Sequence, residues 1–237
     1  MKWIAHRGFS GEAPENTLAA FERAIENGAA GIELDVHVSK DGELTVMHDE
    51  HVERTTDGTG WVREMTVPEL AELDAGAWFN KNDRGVQRVP LLDDVLAWIP
   101  ANVLLNVEIK NIPYAYQEIE KKVSDTLVQH YRVENTIVSS FDHACLYRLK
   151  EWNSAVKIGL LLNFRPVNME GYLRLFSPFD VHSLHPHASI LQKNDVERWQ
   201  KQGVSVFPYA VTRKSDVKQM QAFGVNGVIS DAPPENL

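Results

Sequence analysis

The sequence begins with the stretch KWIAHRGFSGEAPENTLAAFERAIENGAAGIELDVHV (residues 2–38), in which two short apolar runs flank a helical pattern. The runs KWIAH and GIELDVHV have the length and apolar content of buried strands. Between them, Leu18, Phe21 and Ile25 recur at the spacing of one helix face. A strand, a helix and a second strand in this order are typical of a βαβ unit, in which the two strands are parallel.

The same alternation continues along the chain, which contains eight strand-like runs in its 237 residues. Eight βα units predict an α/β fold, a closed (β/α)8 TIM barrel, and we expect one domain over residues 1–237. The runs are KWIAH (2–6), GIELDVHV (31–38), VLLNVEI (103–109), TIVSSF (136–141), VKIGLLL (156–162), DVHSLH (180–185), VSVFPYAV (204–211) and GVIS (227–230).

One interval is too long for an ordinary βα loop. About fifty residues separate the second run from the helical segment LLDDVLAWI (91–99). They contain an extra strand-like run, ELTVMH (43–48), and a short helical pattern near 67–73. The sequence therefore predicts a small subdomain at 39–89, inserted after the second strand and lying over the catalytic face.

Composition excludes several classes of function. The formal net charge of -9 disfavours a nucleic-acid partner. Cys145 is the only cysteine, so no internal disulfide can form, and the first apolar run begins too early for a signal peptide to precede it. No run is long enough to cross a membrane. We therefore expect a cytoplasmic protein without stable membrane anchoring.

Two common catalytic motifs are missing from the sequence. Neither a GxxxxGK[ST] P-loop nor a GxSxG motif is present, which disfavours nucleotide hydrolysis by a P-loop and acyl transfer by a serine hydrolase.

Reactive side chains gather where the predicted strands end, which is the edge at which barrel enzymes place their sites. Residues two apart on a strand point to the same face, so Glu33 and Asp35 share one face of their strand, and Glu108 and Lys110 share one face of theirs. Their apolar neighbours take the opposite face. The residues at strand ends are His6, Arg7, Glu33, Asp35, His48, Asp49, Glu108 and Lys110.

Three carboxylates, Glu33, Asp35 and Glu108, are predicted to converge inside the barrel. Buried together they would repel one another unless their charge is compensated, and a divalent cation would do so. A single Glu-x-Asp pair is commonly a salt-bridged pair, but convergence on neighbouring strand ends favours a metal site. Ligands that are all oxygen indicate Mg²⁺ or Ca²⁺, with Mn²⁺ possible.

Two histidines and two cations accompany this predicted metal site. Arg7 and Lys110 would hold an anionic phosphoryl group, whereas His6 and His48 would take a proton from the attacking oxygen and give one to the leaving alkoxide. Such a set suits the cleavage of a small phosphodiester.

Seven segments of the chain resemble the glycerophosphodiester phosphodiesterase family. The resemblance runs from residue 4 to about residue 233 and is most specific in the first half. The segments are AHRGFSGEAPENTLAAF, GIELDVHVSKDGELTVMHDEHVERTTDGTG, TVPELAELDAGAWF, VPLLDDVLAW, LLNVEIK, IVSSFD and GVISDAP.

The resemblance implies a (β/α)8 barrel that hydrolyses glycerophosphodiesters to an alcohol and sn-glycerol 3-phosphate with one divalent metal. It also implies roles for individual residues, with Asn16 bracing a loop rather than reacting. His6 and His48 match the family's acid/base histidines, Glu33, Asp35 and Glu108 match its metal ligands, and Arg7 and Lys110 match its phosphate contacts.

The chain departs from the family pattern on the seventh strand of the barrel. Tyr209 stands at the family's aromatic position and Thr212 at an asparagine position, so we expect Tyr209 to contact the alcohol part of the substrate. His185 and His187 lie where family members often carry histidine, and a structural role is at least as consistent with the sequence for both.

Two alternative functions remain open at this point. Lysophospholipase D-like activity on the same scaffold would need an apolar rim for an acyl tail, for which GAWFN (76–80) is a short indication. A non-catalytic barrel that only binds phosphodiesters would be expected to have lost a histidine or a metal ligand, and the sequence retains them all.

Overall fold

A computed structural model describes residues 1–79 and 85–237 of the chain. Eight parallel strands form a barrel in the order β8-β7-β6-β5-β4-β2-β1-β9, and the short strand β3 pairs antiparallel with β2 outside this path. The predicted barrel is therefore confirmed. The strands are β1 Lys2–Ala5, β2 Gly31–Val38, β3 Leu44–Val46, β4 Leu104–Ile109, β5 Thr136–Ser140, β6 Lys157–Leu162, β7 Ser183–Pro186, β8 Ser205–Val206 and β9 Gly227–Ser230.

Helices follow most of the barrel strands and cover their outer faces. In the first of these helices, the Thr17 hydroxyl accepts a hydrogen bond from the Ala20 N–H and so caps the N-terminus. Within the described residues no helix combines the length and the apolar content needed to span a bilayer. The helices are α1 Leu18–Glu26, α2 Val67–Glu72, α3 Leu92–Trp98, α4 Ile119–Gln129, α5 His143–Trp152, α6 Met169–Leu173, α7 Lys193–Lys201 and α8 Lys214–Phe223.

The side-chain alternation predicted for β2 and β4 is present. Ile32 and Leu34 belong to the main hydrophobic core, together with residues of the surrounding helices. The other face of each strand points into the barrel, where Asp35 lies opposite Glu108 in the parallel ladder. Deeper inside, a separate apolar cluster fills the barrel with Ile4, Ile137, Phe207 and Ile229.

The predicted strand VSVFPYAV (204–211) is much shorter than expected, because only Ser205–Val206 is paired as a strand. Pro208 has no N–H to donate, and Ala210 has a φ of +59°. The barrel closes here through two backbone hydrogen bonds. Asn226 donates to the Val206 carbonyl (3.1 Å) and Ile229 donates to the Pro208 carbonyl (2.9 Å).

The predicted strand DVHSLH (180–185) is also shifted, since β7 begins only at Ser183. The chain is still turning before that point. The Ser177 N–H bonds back to the Arg174 carbonyl, and the Phe179 N–H bonds back to the Phe176 carbonyl.

The segment between β2 and α3 has a small hydrophobic cluster of its own, as an inserted subdomain would need. Within it, Thr66 and Glu69 form a capping box at the start of α2. The bounds 39–89 stay a prediction, and residues 80–84, including the end of the GAWFN segment, lie outside the described residues. The cluster consists of Met47, Val52, Val62, Leu70, Ala75 and Val89.

Candidate active site

Three buried carboxylates meet at the carboxyl ends of β2 and β4. Glu33, Asp35 and Glu108 are 2%, 0% and 8% exposed. One oxygen from each side chain lies within 4.8 Å of the others. The strand alternation places all three on the inner face, as the sequence predicts, because Glu33 and Asp35 are two residues apart and Asp35 is paired with Glu108.

Cationic side chains, as well as any bound cation, compensate the charge of two of the three carboxylates. The Lys110 ammonium lies 2.6 Å from the Glu108 carboxylate and 3.2 Å from that of Asp35. Arg7 Nε lies 3.4 Å from the other Asp35 oxygen. Burial opposes ionisation of Asp35, but Lys110 and Arg7 outweigh it and lower the pKa of this carboxyl.

Glu33 is the carboxylate that the protein leaves uncompensated. Its Oε2 accepts the backbone N–H of Arg7 at 2.9 Å, whereas its buried Oε1 has no hydrogen-bond partner in the described part of the chain. Burial, followed by the charges of Asp35 and Glu108, raises the pKa of Glu33 well above its usual value. An orphaned carboxylate oxygen beside two further carboxylates fits a hard divalent cation.

His6 follows β1 and is oriented by Asp231, which follows β9. The His6 Nδ1 lies 2.6 Å from Asp231 Oδ1. The Ser10 hydroxyl lies within hydrogen-bond distance of both Asp231 (3.1 Å) and the His6 carbonyl (2.9 Å). A carboxylate at Nδ1 favours the tautomer in which Nδ1 carries the proton and Nε2 is free to accept one.

His48 follows β3 and has a similar arrangement. Its Nδ1 lies 2.5 Å from Asp49 Oδ1, and its backbone carbonyl lies 3.0 Å from His37 Nε2. The hydrogen bond with His48, followed by those from Arg54, lowers the pKa of Asp49 although burial opposes this. Both proposed acid/base histidines thus have an aspartate at Nδ1, and both side chains are about one third exposed, 27% for His6 and 31% for His48.

The loop after β1 is held against β2 by Arg7 and Asn16. Arg7 has a φ of +56° and Asn16 has a φ of +57°, so two non-glycine residues adopt the left-handed region here. The Asn16 amide donates to Asp35 Oδ2 (2.9 Å) and its Oδ1 accepts the Asp35 N–H (3.3 Å). Asn16 braces the loop, as the sequence predicts.

Glycine at position 8 is required by close packing of the same loop. Gly8 has a φ of +81°, and a Cβ there would lie 2.6 Å from the backbone of Ala20 in α1. Any larger residue would push the loop that carries His6 and Arg7 away from the helix.

Tyr209 follows β8 and lies among aromatic side chains rather than in direct contact with the carboxylates. Its ring packs edge-on against His187 (5.3 Å between centroids) and Phe141 (6.0 Å). Burial, followed by the negative charge of Glu108, raises the pKa of Tyr209 to about 12. His187 therefore packs beside Tyr209.

His185 lies inside the barrel and takes part in packing. It is fully buried, with Nε2 at 2.9 Å from the Ser183 hydroxyl and its ring edge-on to Phe207. Burial lowers the pKa of His185 to about 3, so the imidazole is neutral at physiological pH. Its position supports the structural alternative considered for it.

Sequence reasoning assigned no role to Asp231, Glu15 or Arg54, each of which bonds a predicted site residue or its partner. All three stand in segments that carry the family resemblance: PENT for Glu15, RTT for Arg54 and GVISDAP for Asp231. Their presence in these motifs indicated that they are functional residues. Their partners could not be identified from the sequence, because Glu15 lies 39 positions from Arg54 and Asp231 lies 225 positions from His6.

A family model for the glycerophosphoryl diester phosphodiesterase family matches residues 6–235. The chain belongs to this family. A glycerophosphodiester phosphodiesterase of Caldanaerobacter subterraneus subsp. tengcongensis is 43% identical over 234 residues, which are 97% of this chain and 93% of the relative. The predicted family is therefore confirmed.

Solved structures of family members have the same fold. A phosphodiesterase of Oleispira antarctica, in complex with the product sn-glycerol-3-phosphate, superposes with a TM-score of 0.88 at 29% identity over 99% of this chain and 94% of that one. A glycerophosphodiester phosphodiesterase of Agrobacterium tumefaciens gives 0.82 at 27% identity over 99% and 97%.

Proposed function

We propose that the chain hydrolyses glycerophosphodiesters to an alcohol and sn-glycerol 3-phosphate with the aid of a divalent cation. The observation that carries this proposal is the meeting of Glu33, Asp35 and Glu108 beside two cationic side chains, in a chain that matches the family model over nearly its whole length. The product bound to the Oleispira antarctica phosphodiesterase supports a small-molecule substrate.

Glu33, Asp35 and Glu108 are the ligands that we propose for the cation. Their donor set is all oxygen, which favours Mg²⁺ or Ca²⁺, and Mn²⁺ would also fit. Such an ion, when bound, polarises a phosphoryl oxygen and neutralises the charge that develops on it.

Arg7 and Lys110 are proposed to hold the phosphoryl group. The Arg7 guanidinium donates through Nη1 to Glu15, and no hydrogen bond occupies its Nη2 within the described residues. Lys110 is held at the carboxylates by Glu108 and Asp35, so its charge stays beside the substrate phosphate. Burial opposes the ammonium, but these two carboxylates outweigh it and raise the pKa of Lys110.

His6 is proposed as the general base and His48 as the general acid. Each imidazole has Nδ1 engaged by an aspartate, which leaves Nε2 for proton transfer. His6 would take a proton from water or from the glycerol hydroxyl of the substrate, and His48 would give one to the departing alkoxide. Tyr209 is proposed to contact the alcohol.

A product assay tests this function. Release of glycerol 3-phosphate is coupled to a dehydrogenase and followed with several glycerophosphodiesters, among them glycerophosphocholine and glycerophosphoethanolamine. We expect metal-dependent release with the wild type and none above background with the His6→Ala/His48→Ala double variant. No release from any glycerophosphodiester by the metal-loaded wild type would overturn the proposal and would favour a binding barrel.

A further inference from the structure

A continuous series of ion pairs connects the loop after β1 with the segment that carries His48. Arg54 donates to Glu15 through Nη1 (2.9 Å) and Nη2 (2.7 Å), and to Asp49 through Nε (2.5 Å) and Nη2 (3.0 Å). Asp49 in turn engages His48 Nδ1. At its other end Glu15 accepts Arg7 Nη1 at 2.7 Å.

The geometry of Arg54 differs from that of an ordinary surface ion pair. Both of its carboxylate partners receive two contacts from the planar guanidinium, which fixes direction as well as distance. Glu15, with a side chain only 10% exposed, accepts from two arginines at once. An isolated surface ion pair contributes little to stability. A guanidinium that makes two hydrogen bonds to each of two carboxylates also restricts the orientation of both carboxylates.

His48 needs such a restriction because it does not lie on a barrel strand. It follows β3, which pairs with β2 beyond the carboxylate level, and the chain then continues through the predicted insertion. Its position relative to the phosphate depends on contacts that join this segment to the barrel. The Arg54–Glu15 pair is one such contact and His37 to the His48 carbonyl is another.

We propose that Arg54 and Glu15 are positioning residues that hold the Asp49–His48 pair in the orientation for protonating the leaving alkoxide. This inference rests on the proposed function. Arg54 contacts Asp49 directly and reaches Arg7 only through Glu15, whereas Glu15 contacts Arg7 directly. Loss of Arg54 therefore acts mainly on the proton donor, and loss of Glu15 acts on both the proton donor and the phosphate contact.

The first experiment uses Arg54→Lys, which keeps the charge but removes the fork, and Arg54→Gln as a second variant. We expect kcat on glycerophosphocholine to fall roughly 10-fold to 100-fold, because a misplacement of about 1 Å can cost on the order of 10²-fold. On a nitrophenyl phosphodiester, whose phenolate leaves without a proton, kcat should change less than about threefold. Unchanged kcat on glycerophosphocholine, or equal losses on both substrates, would overturn the proposal.

A double-mutant cycle separates positioning from general stability. In a His48→Ala background the Arg54→Lys change should have no further effect on kcat, since Arg54 then has no proton donor to position. Additive losses would contradict the proposal. Arg148→Lys is the matched control, because Arg148 forms an ion pair with Glu120 between outer helices, and it should leave kcat unchanged on both substrates.

Glu15→Gln supplies the second arm of the test. It weakens the hold on Arg7 and Arg54 together, so it should raise KM on both substrates and add the selective loss of kcat on glycerophosphocholine. A change in KM without the selective loss would exclude Glu15 from positioning His48. Failure of the proposed function would look different, because the wild type itself would then lack activity on glycerophosphocholine.

Discussion

Asp35 and Glu108 stand opposite each other on adjacent parallel strands, and the ammonium of Lys110 lies between them at 3.2 Å and 2.6 Å from their carboxylates. Two like charges at this position would destabilise the barrel, so Lys110 offsets a repulsion that the ladder itself creates. Glu33 has no such partner. Of the three carboxylates, Glu33 is therefore the one whose charge is opposed by the side chains around it.

Chelation is expected to abolish turnover, and Mg²⁺, Mn²⁺ or Ca²⁺ to restore it. The same ions should raise the melting temperature of the wild type, because a ligand that binds only the folded state stabilises it. Glu33→Gln should remove most of that shift while leaving the metal-free protein at least as stable as the wild type. Calorimetry with and without metal measures both effects. Full activity after exhaustive dialysis against chelator would refute metal dependence.

His48→Ala should distinguish two kinds of leaving group. The alcohol of a glycerophosphodiester leaves as an alkoxide, which needs a proton from a general acid. We therefore expect His48→Ala to lower kcat on glycerophosphocholine by roughly 10²-fold or more. The nitrophenolate of a nitrophenyl phosphodiester is stable without a proton, so kcat on that substrate should fall far less. His6→Ala should lose activity on both substrates. If His6→Ala instead kept most of its kcat on the nitrophenyl diester and lost it on glycerophosphocholine, His6 would be the acid and His48 the base.

Asp231→Asn tests whether the aspartate orients the proposed base. An amide at position 231 can present a donor to His6 Nδ1 and so favour the wrong tautomer, which should lower kcat by roughly 10²-fold on both substrates. KM should change less than kcat, because the Asp231 carboxylate is hydrogen-bonded to His6 and Ser10 and only its charge acts on Arg7, a proposed phosphate contact. The double variant with His6→Ala should be no worse than His6→Ala alone, and any further loss in it would assign Asp231 a separate role.

The site residues that were predictable from sequence lie on strands, where an alternation of two decides which side chains share a face. Glu33, Asp35 and Glu108 are cases of this rule, and neighbouring strand ends brought them together. The pair formed by His6 and Asp231 follows no local rule, since the two residues are 225 positions apart. Only closure of the barrel, which places β1 beside β9, makes them neighbours.

Local chemistry explains why the predicted strand at residues 204–211 was too long. The apolar content of residues 204–211 indicated a long strand, but Pro208 lacks a donor and Ala210 turns the backbone to a positive φ. The charge compensation by Lys110 was likewise hidden. The position of Lys110 on the same face as Glu108 was predictable. Its ion pair with Asp35 was not, because that contact depends on the register between β2 and β4.

Acid pH should destabilise the protein partly through His185. The folded-state pKa of this buried imidazole is lowered to about 3, whereas the unfolded chain titrates near the ordinary value of about 6.5. The contribution of His185 to the free energy of unfolding is fully present above pH 6.5. It is lost as the pH falls below that value, because the unfolded state then binds a proton that the folded state does not. The slope approaches about 1.4 kcal/mol per pH unit between these values.

Denaturant unfolding from pH 7 to pH 4 measures this effect. The His185→Gln variant, which keeps a polar side chain near Ser183, should lose stability less steeply than the wild type over that range. The difference between the two curves isolates His185 from the carboxylates, which titrate in both proteins. Parallel curves would contradict the expected protonation linkage.

The short strand β8 makes the barrel wall unequal around its circumference. β2 and β4 are paired at six positions, whereas β8 is paired with β7 at two positions and the chain after it forms one isolated bridge, between His187 and Tyr209. Two backbone hydrogen bonds join β8 and the residues after it to the β9 side. Amide hydrogens along that seam should exchange with solvent sooner than those of β2 and β4. The proposed metal ligands lie on β2 and β4, whereas Tyr209, the proposed alcohol contact, follows the shortest strand, β8. If these roles hold, we expect the side of the barrel opening that binds the alcohol to be the more deformable one, and alcohols of different size to be accepted without a change in the reaction.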